Sequence, residues 1–354
     1  MNSIKKALDK IFIEGLSAMA QGLFATLIIG TIIQQIGLFM GGGAGDLIYQ
    51  IGKVAAGLTG AGIGVGVARK LEAGHLVIVS SAVVGMVGAF AGKLLAGQLL
   101  IDGNLVLAGP GEPLGAFIAA YLAIEIGILI SGKTKLDIIL TPLVCIGTGS
   151  AVGLFVGPPI SEFMAWLGSL INWGTEQQPF LMGIVVSVLM GMILTLPISS
   201  AALGVILNLS GLAAGAATVG CCCNMIGFAV ASYRENKIGG FLAQGIGTSM
   251  LQVPNIMRHP LIWIPSILSS AILGPVSTML LHMTNNATGS GMGTAGLVGP
   301  LMTWQVMIQT EDPMIVLVKI IVIQFVLPAV ITLGISEFMR KKGWIRQGDM
   351  KLEL

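Results

Sequence analysis

The stretch "MIVLVKIIVIQFVLPAVITLGI" (314–335) holds one charged residue, Lys319, in 22 positions. About 20 apolar residues in a helix cross the roughly 30 Å of hydrocarbon in a bilayer, so this run reads as a membrane span. "FATLIIGTIIQQIGLF" (24–39) and "HLVIVSSAVVGMVGAFAG" (75–92) follow the same pattern. Composition agrees along the whole chain of 354 residues. Hydrophobic residues make up 55% and charged residues 10%, against about 25% charged in soluble domains, and mean hydropathy is +0.93. The fold class is therefore all-α and polytopic, with about 8–10 transmembrane helices.

The first apolar run, from near Ile11 to about Met40, has no small-residue cleavage site at signal-peptide length and reads as a span. Further spans are expected near 47–67, 75–97, 114–131, 136–157, 180–198, 261–282 and 314–338. Segment 199–232 reads either as two crossings or as a re-entrant hairpin followed by a helix. "ISEFMAWLGSLINW" (160–173) follows Pro158-Pro159 and gathers Phe163, Trp166, Leu167 and Leu170 on one face, which reads as an interfacial amphipathic helix. No hydrophilic stretch is long enough for a soluble domain, so 1–354 reads as a single membrane-embedded unit.

Lys5, Lys6, Lys10, Arg69-Lys70, Lys133 with Lys135, Arg234 with Lys237, and Arg340-Lys341-Lys342 fall in alternate turns. The intervening turns "GGGAGD", "DGNLVLAGPGEP", "GTEQQP" and "QTEDP" lack Lys and Arg. The positive-inside rule then places both termini in the cytoplasm. A net charge of +2 gives no footprint for nucleic acid. Cys145 and the consecutive Cys221–Cys223 lack the spaced ligands of a metal site, and no metal or cofactor is expected. Gly60, Gly62, Gly64 and Gly66 form two overlapping G-x-x-x-G pairs, and Gly211 and Gly215 form another. That spacing lets helices pack closely in lipid.

Against this background "GFLAQGIGTSMLQVPNIMRHP" (240–260) is anomalous. Gln244, Thr248 and Gln252 recur every four residues, Asn255 comes three later, and Ser249 sits beside them, so the set predicts a polar stripe on a helix. Polar side chains facing hydrocarbon lose hydrogen bonds. The glycines and Pro254 and Pro260 weaken the helix, and broken backbone at membrane depth is tolerated where it lines a cavity. Transporters place their binding sites at such breaks. Segment 238–256 therefore reads as re-entrant.

"GIGTSMLQVPNIMRHPLIWIPSILSSAILGPV" resembles the re-entrant segment of phosphotransferase-system sugar permeases, the membrane IIC subunits, whose usual motif is G-I-T-E-P. "LSAMAQGLFATLIIGTIIQQIG" and "GCCCNMIGFA" are similar to a divergent, perfringolysin-regulator-like branch of that family, and the resemblance covers nearly the whole chain. It puts Thr248 on the motif's Thr, Ser249 on its Glu and Met250 on its Pro. The family's Glu is thought to bind sugar hydroxyls. Serine is no base without a partner, so the chain alone is expected to phosphorylate nothing, with IIA and IIB phosphocarriers as separate proteins. The resemblance implies an inner-membrane permease carrying a sugar-like solute by alternating access and, with the glycine-rich faces, a homodimer. A non-phosphorylating secondary transporter and a ligand sensor that regulates gene expression remain as alternatives.

Other candidates are Glu125, the one acid well inside an apolar span, whose burial in lipid is costly without a role or a partner. Asn224 and Asn208 carry amides that suit sugar hydroxyls or neighbouring helices equally. His75 at a span start, His259 beside Arg258, and His282 with Asn285-Asn286 before "TGSGMGTAG" complete the set. The last group reads as a second re-entrant or gating loop.

Overall fold

The computed structural model describes residues 10–101, 104–107 and 109–352; Lys5 and Lys6 lie outside them. Among the described residues seven helices are long and apolar enough to cross a membrane. The pair Gly42–Gly57 and Thr59–Lys70, bent by 51°, makes an eighth if it is one broken span. The only strands among those residues are the two-residue pair Leu100–Ile101 and Asn104–Leu105. The protein is an all-α, multi-span membrane protein.

The chain divides into two compact units, 1–165 and 166–354. In the first, α1 (Leu16–Met40) is followed by the bent pair α2 (Gly42–Gly57) and α3 (Thr59–Lys70). Then come α4 (His75–Leu95) and α5 (Pro113–Ile130). The two G-x-x-x-G pairs of α3 serve two different neighbours. A Cβ on Gly60 would stand 2.6 Å from the Gly85 carbonyl oxygen of α4, and one on Gly64 would run into the Ser81 carbonyl. Gly62 and Gly66 face α1, where a Cβ would come within 2.9 Å of Gly22 O and 2.7 Å of Ala18 O. Ser81 Oγ donates to Gly64 O at 3.0 Å across the first of these contacts. In lipid, such van der Waals contact replaces the hydrophobic effect as the cause of association.

Helix α6 (Asp137–Thr175) corrects the expected break at Pro158-Pro159. It is one helix of 39 residues with three internal prolines, and the segment 160–173 is its C-terminal part rather than a separate element. At 1.5 Å per residue it is about 58 Å long, nearly twice the hydrocarbon thickness of about 30 Å.

In the second unit, α7 (Pro179–Thr195) is followed by the short α8 (Ser200–Ile206) and then α9 (Gly211–Ala231). Of the two readings for 199–232, the structure takes the short turn-back followed by a helix. Residues 214–229 of α9 are buried on every face, as befits the centre of a bundle. Next come α10 (Tyr233–Leu242), α11 (Val253–Arg258) and α12 (Pro260–Leu280). The unit closes with α13 (Ala287–Ser290), α14 (Val298–Met307) and α15 (Pro313–Lys341). Three turns lacking Lys and Arg end in Pro113, Pro179 and Pro313, each in the first turn of the next helix. There the missing N–H costs nothing and φ is already helical. Asp312 completes the last start, accepting from Met314 N at 2.8 Å.

Candidate functional site

The anomalous stretch is broken where its glycines are. After α10 the chain makes a π-type turn over Ala243–Gly247, extends at Thr248 (φ −159°, ψ 138°), and resumes as a 3₁₀ turn, Ser249–Gln252, before α11. The polar residues therefore do not form one continuous helical stripe. Thr248 is the N-cap of the new turn, its Oγ1 accepting from Met250 N at 3.2 Å. This places the break at Gly247–Thr248, ahead of Pro254 and Pro260.

The break separates the polar residues into two groups. Ser249 Oγ lies 2.8 Å from Thr195 Oγ1, at the end of α7, and either hydroxyl can donate. Thr195 also faces Asn224 Oδ1 at 3.2 Å. Asn224, fully buried on α9, is the hub. Its Oδ1 also accepts from Trp263 Nε1 at 2.9 Å, and its Nδ2 donates to Gly220 O at 3.1 Å and Ser270 Oγ at 3.4 Å. Four elements thus meet at one buried network of hydroxyl, amide and indole groups. Thr195 and Trp263 sit in or beside apolar runs without a polar period, and Ser270 belongs to a serine face with Ser266 and Ser269 that the sequence analysis does not single out.

Gln244, Gln252 and Asn255 form the second group. Gln252 Nε2 donates to Gln244 Oε1 at 2.8 Å, and Asn255 Nδ2 donates to Gln252 Oε1 at 2.8 Å. Gln244 Nε2 reaches Ser232 Oγ and Gly240 O, both at 2.9 Å. The remaining bonds of Gln252 and Asn255 go to the backbone of Met350 and Lys351, at 3.0 and 2.9 Å.

The glycine-rich segment after His282 comes to the same break. Thr294 Oγ1 donates to Gly245 O at 2.5 Å, and Gly293 lies against Cys221 of α9. Asn285 is buried and pins this loop, its Nδ2 within 2.8 Å of Thr218 Oγ1, 3.0 Å of Thr303 Oγ1 and 3.2 Å of Gly299 O. Its backbone also bridges to Gly211. A second pairing of short elements lies here: Ser200 Oγ of α8 donates to Gly291 O at 2.6 Å.

The other candidates lie elsewhere. Asn208 is exposed, with a left-handed backbone (φ 47°), a conformation asparagine tolerates better than most residues. His282 (φ 46°) is exposed too. His259 Nε2 lies 3.7 Å from Asp349 Oδ1. In the first unit His75 is exposed at the start of α4. There Glu125 Oε1 accepts from Lys10 Nζ at 2.6 Å, which gives the intramembrane acid a charge partner. Cys221–Cys223 are buried free thiols, and no group of three metal-ligating side chains occurs among the described residues. A groove of about 400 Å³ lined by Leu281, Met314, Ile315, Val318, Lys319 and Val322 is apolar. Its one charge, Lys319, is engaged by Glu311 at 2.6 Å and Leu281 O at 2.8 Å.

In transporters, binding sites are typically formed at discontinuous helices of this kind. Comparison with protein families gives the matching result: the family model "Phosphotransferase system, EIIC" matches residues 13–352. The chain belongs to the phosphotransferase-system EIIC family. It is a multi-pass sugar permease component that works with IIA and IIB proteins, and the family does not favour the secondary-transporter or sensor alternatives. Comparison with curated proteins finds none that matches.

Proposed function

We propose that this EIIC protein takes a sugar or sugar derivative at the break between Gly247 and Ser249, with Ser249, Thr195 and Asn224 facing its hydroxyls. The observation that carries this reading is the Ser249–Thr195–Asn224 network, a buried polar cluster at a backbone break. The family motif's Glu corresponds to Ser249. Hydroxyls and an amide both donate and accept, which suits a neutral polyhydroxy ligand. Thr248 shapes the break as its cap. Asn208, His75, His259, His282 and Asn285 are assigned no solute contact, and Gln244, Gln252 and Asn255 act on the break from its other side.

The solute crosses by alternating access, the broken segments moving against the continuous spans, and a separate IIB protein supplies the phosphoryl group. No residue of the network is a general base, so this chain binds and presents the sugar. The protein lies in a bacterial inner membrane with both termini cytoplasmic, as a homodimer. Mass photometry in mild detergent should show dimers, and monomers across a wide concentration range would exclude that state.

A thermal-shift screen against sugars, polyols and sugar acids identifies the ligand. Each hydrogen bond to a neutral ligand contributes about 0.5–1.5 kcal/mol net. Ser249→Ala and Thr195→Val should each weaken affinity for that ligand about three- to tenfold. Unchanged affinity in both folded variants would remove the network from the solute site.

A further inference from the structure

Residues 343–352 fold back onto the segment that carries the break. After α15, Gly343 takes a left-handed conformation (φ 74°), and the chain returns so that Ile345, Met350 and Leu352 are buried. Ile345 and Met350 join the apolar cluster of Phe228, Ala231, Ile256, Ile262 and Met339. The polar contacts are denser still. Asn236 Nδ2 donates to Met350 O and Asn236 Oδ1 accepts from Leu352 N, both at 2.8 Å. Gln252 and Asn255 donate to Met350 O and Lys351 O. Glu235, whose side chain is 2% exposed, accepts from Arg340 Nη2 at 2.9 Å and from Gly348 N at 3.3 Å.

These receiving groups lie on both sides of the break: Glu235 and Asn236 before it, Gln252 and Asn255 after it. The re-entering piece consists of a four-residue 3₁₀ turn and a six-residue helix, and helices this short do not hold themselves together. Something outside the piece must fix it. On one side the Ser249–Thr195 contact does so. On the other, the polar contacts run to residues 348–352.

We propose that residues 343–352 form a strap, and that Asn236, Gln252 and Asn255 are positioning residues through which it holds the break in the geometry that aims Ser249 at Thr195. The effect on sugar binding rests on the solute reading above; the effect on the break does not. Gln244 belongs to the same device, because its Oε1 orients the Gln252 amide.

The test compares full-length protein with the Asn236→Ala/Asn255→Ala double variant in nanodiscs, by amide hydrogen exchange and by affinity for the sugar from the screen. Asn236→Asp, which keeps the acceptor for Leu352 N and loses the donor to Met350 O, is the milder second variant should the double one fail to fold. Loss of four hydrogen bonds, three of them to the strap, should speed exchange across 244–258 by about tenfold or more. Peptides from α7 and α9 should be unchanged, and Asn236→Asp should fall between. Sugar affinity should drop in parallel. Faster exchange confined to 343–352, with 244–258 still protected, would overturn the strap. A loosened break with unchanged sugar affinity would overturn the positioning role if Ser249→Ala weakens binding in the same assay. If Ser249→Ala also leaves affinity unchanged, the solute reading fails and the strap stands.

Discussion

Asn224 shows how far single residues speak for themselves. An amide in an apolar run announces a polar contact, and the structure gives it four: Thr195, Trp263, Gly220 and Ser270. Which four could not be read from the sequence, because Thr195 is a lone small polar residue in an apolar run and Ser270 is one of several serines in its helix, Ser266, Ser269 and Ser270. Glu125 is the complementary case. Its position marked it for a role or a partner, and Lys10, 115 residues away, is the partner. Both side chains are partly exposed at the surface of the unit, at 35% and 41%, and pairing keeps either charge from standing alone beside an apolar span. Glu125→Gln alone, which leaves Lys10 without its partner, should lower thermal stability, and the swap Lys10→Glu/Glu125→Lys should restore what the single charge changes lose. A swap less stable than either single change, measured by thermal unfolding in the same detergent, would show that the pair is not the reason for the acid. Sugar accumulation that collapses in Glu125→Gln, with the protein folded, would return it to the transport mechanism.

At the scale of elements, the apolar runs and the Pro-terminated turns are legible because each depends on residues within one turn of the boundary. Pro113, Pro179 and Pro313 start helices as their position dictates. Pro158 and Pro159 do not stop one, because a helix held by neighbours tolerates lost backbone bonds that an isolated helix would not. The polar period of 244–255 is present in the sequence, yet Gly247 and Thr248 interrupt it, and the amides beyond the break find partners almost a hundred residues downstream. Glycine faces are legible as close contacts but not in their pairing. Gly220 of α9 shows the cost: a Cβ there would run into the Ser187 backbone of α7. Gly220→Ala should lower stability by about 1–3 kcal/mol, the usual cost of overpacking. Gly334→Ala in α15, where a Cβ meets nothing within 4 Å, should be neutral or gain up to about 1 kcal/mol from helix propensity. Equal thermal stability of the two variants would show that α7 and α9 do not approach this closely.

At the scale of the whole molecule, the family match shows a sugar permease component, and the proposed site lies at the break. Three short interrupted pieces, α8, Ser249–Arg258 and α13, lie in one unit with buried polar groups between them. The central claim is that the sugar sits at Gly247–Ser249. The most direct measurement is an experimental structure of the protein with the sugar from the screen bound at saturation. The account predicts ligand density within about 3.2 Å of Ser249 Oγ and of Thr195 Oγ1 or the Asn224 amide, with residues 343–352 still seated on Asn236 and Asn255. Density beside Glu125 and Lys10, or on Gln244, Gln252 and Asn255 with the strap displaced, would contradict it.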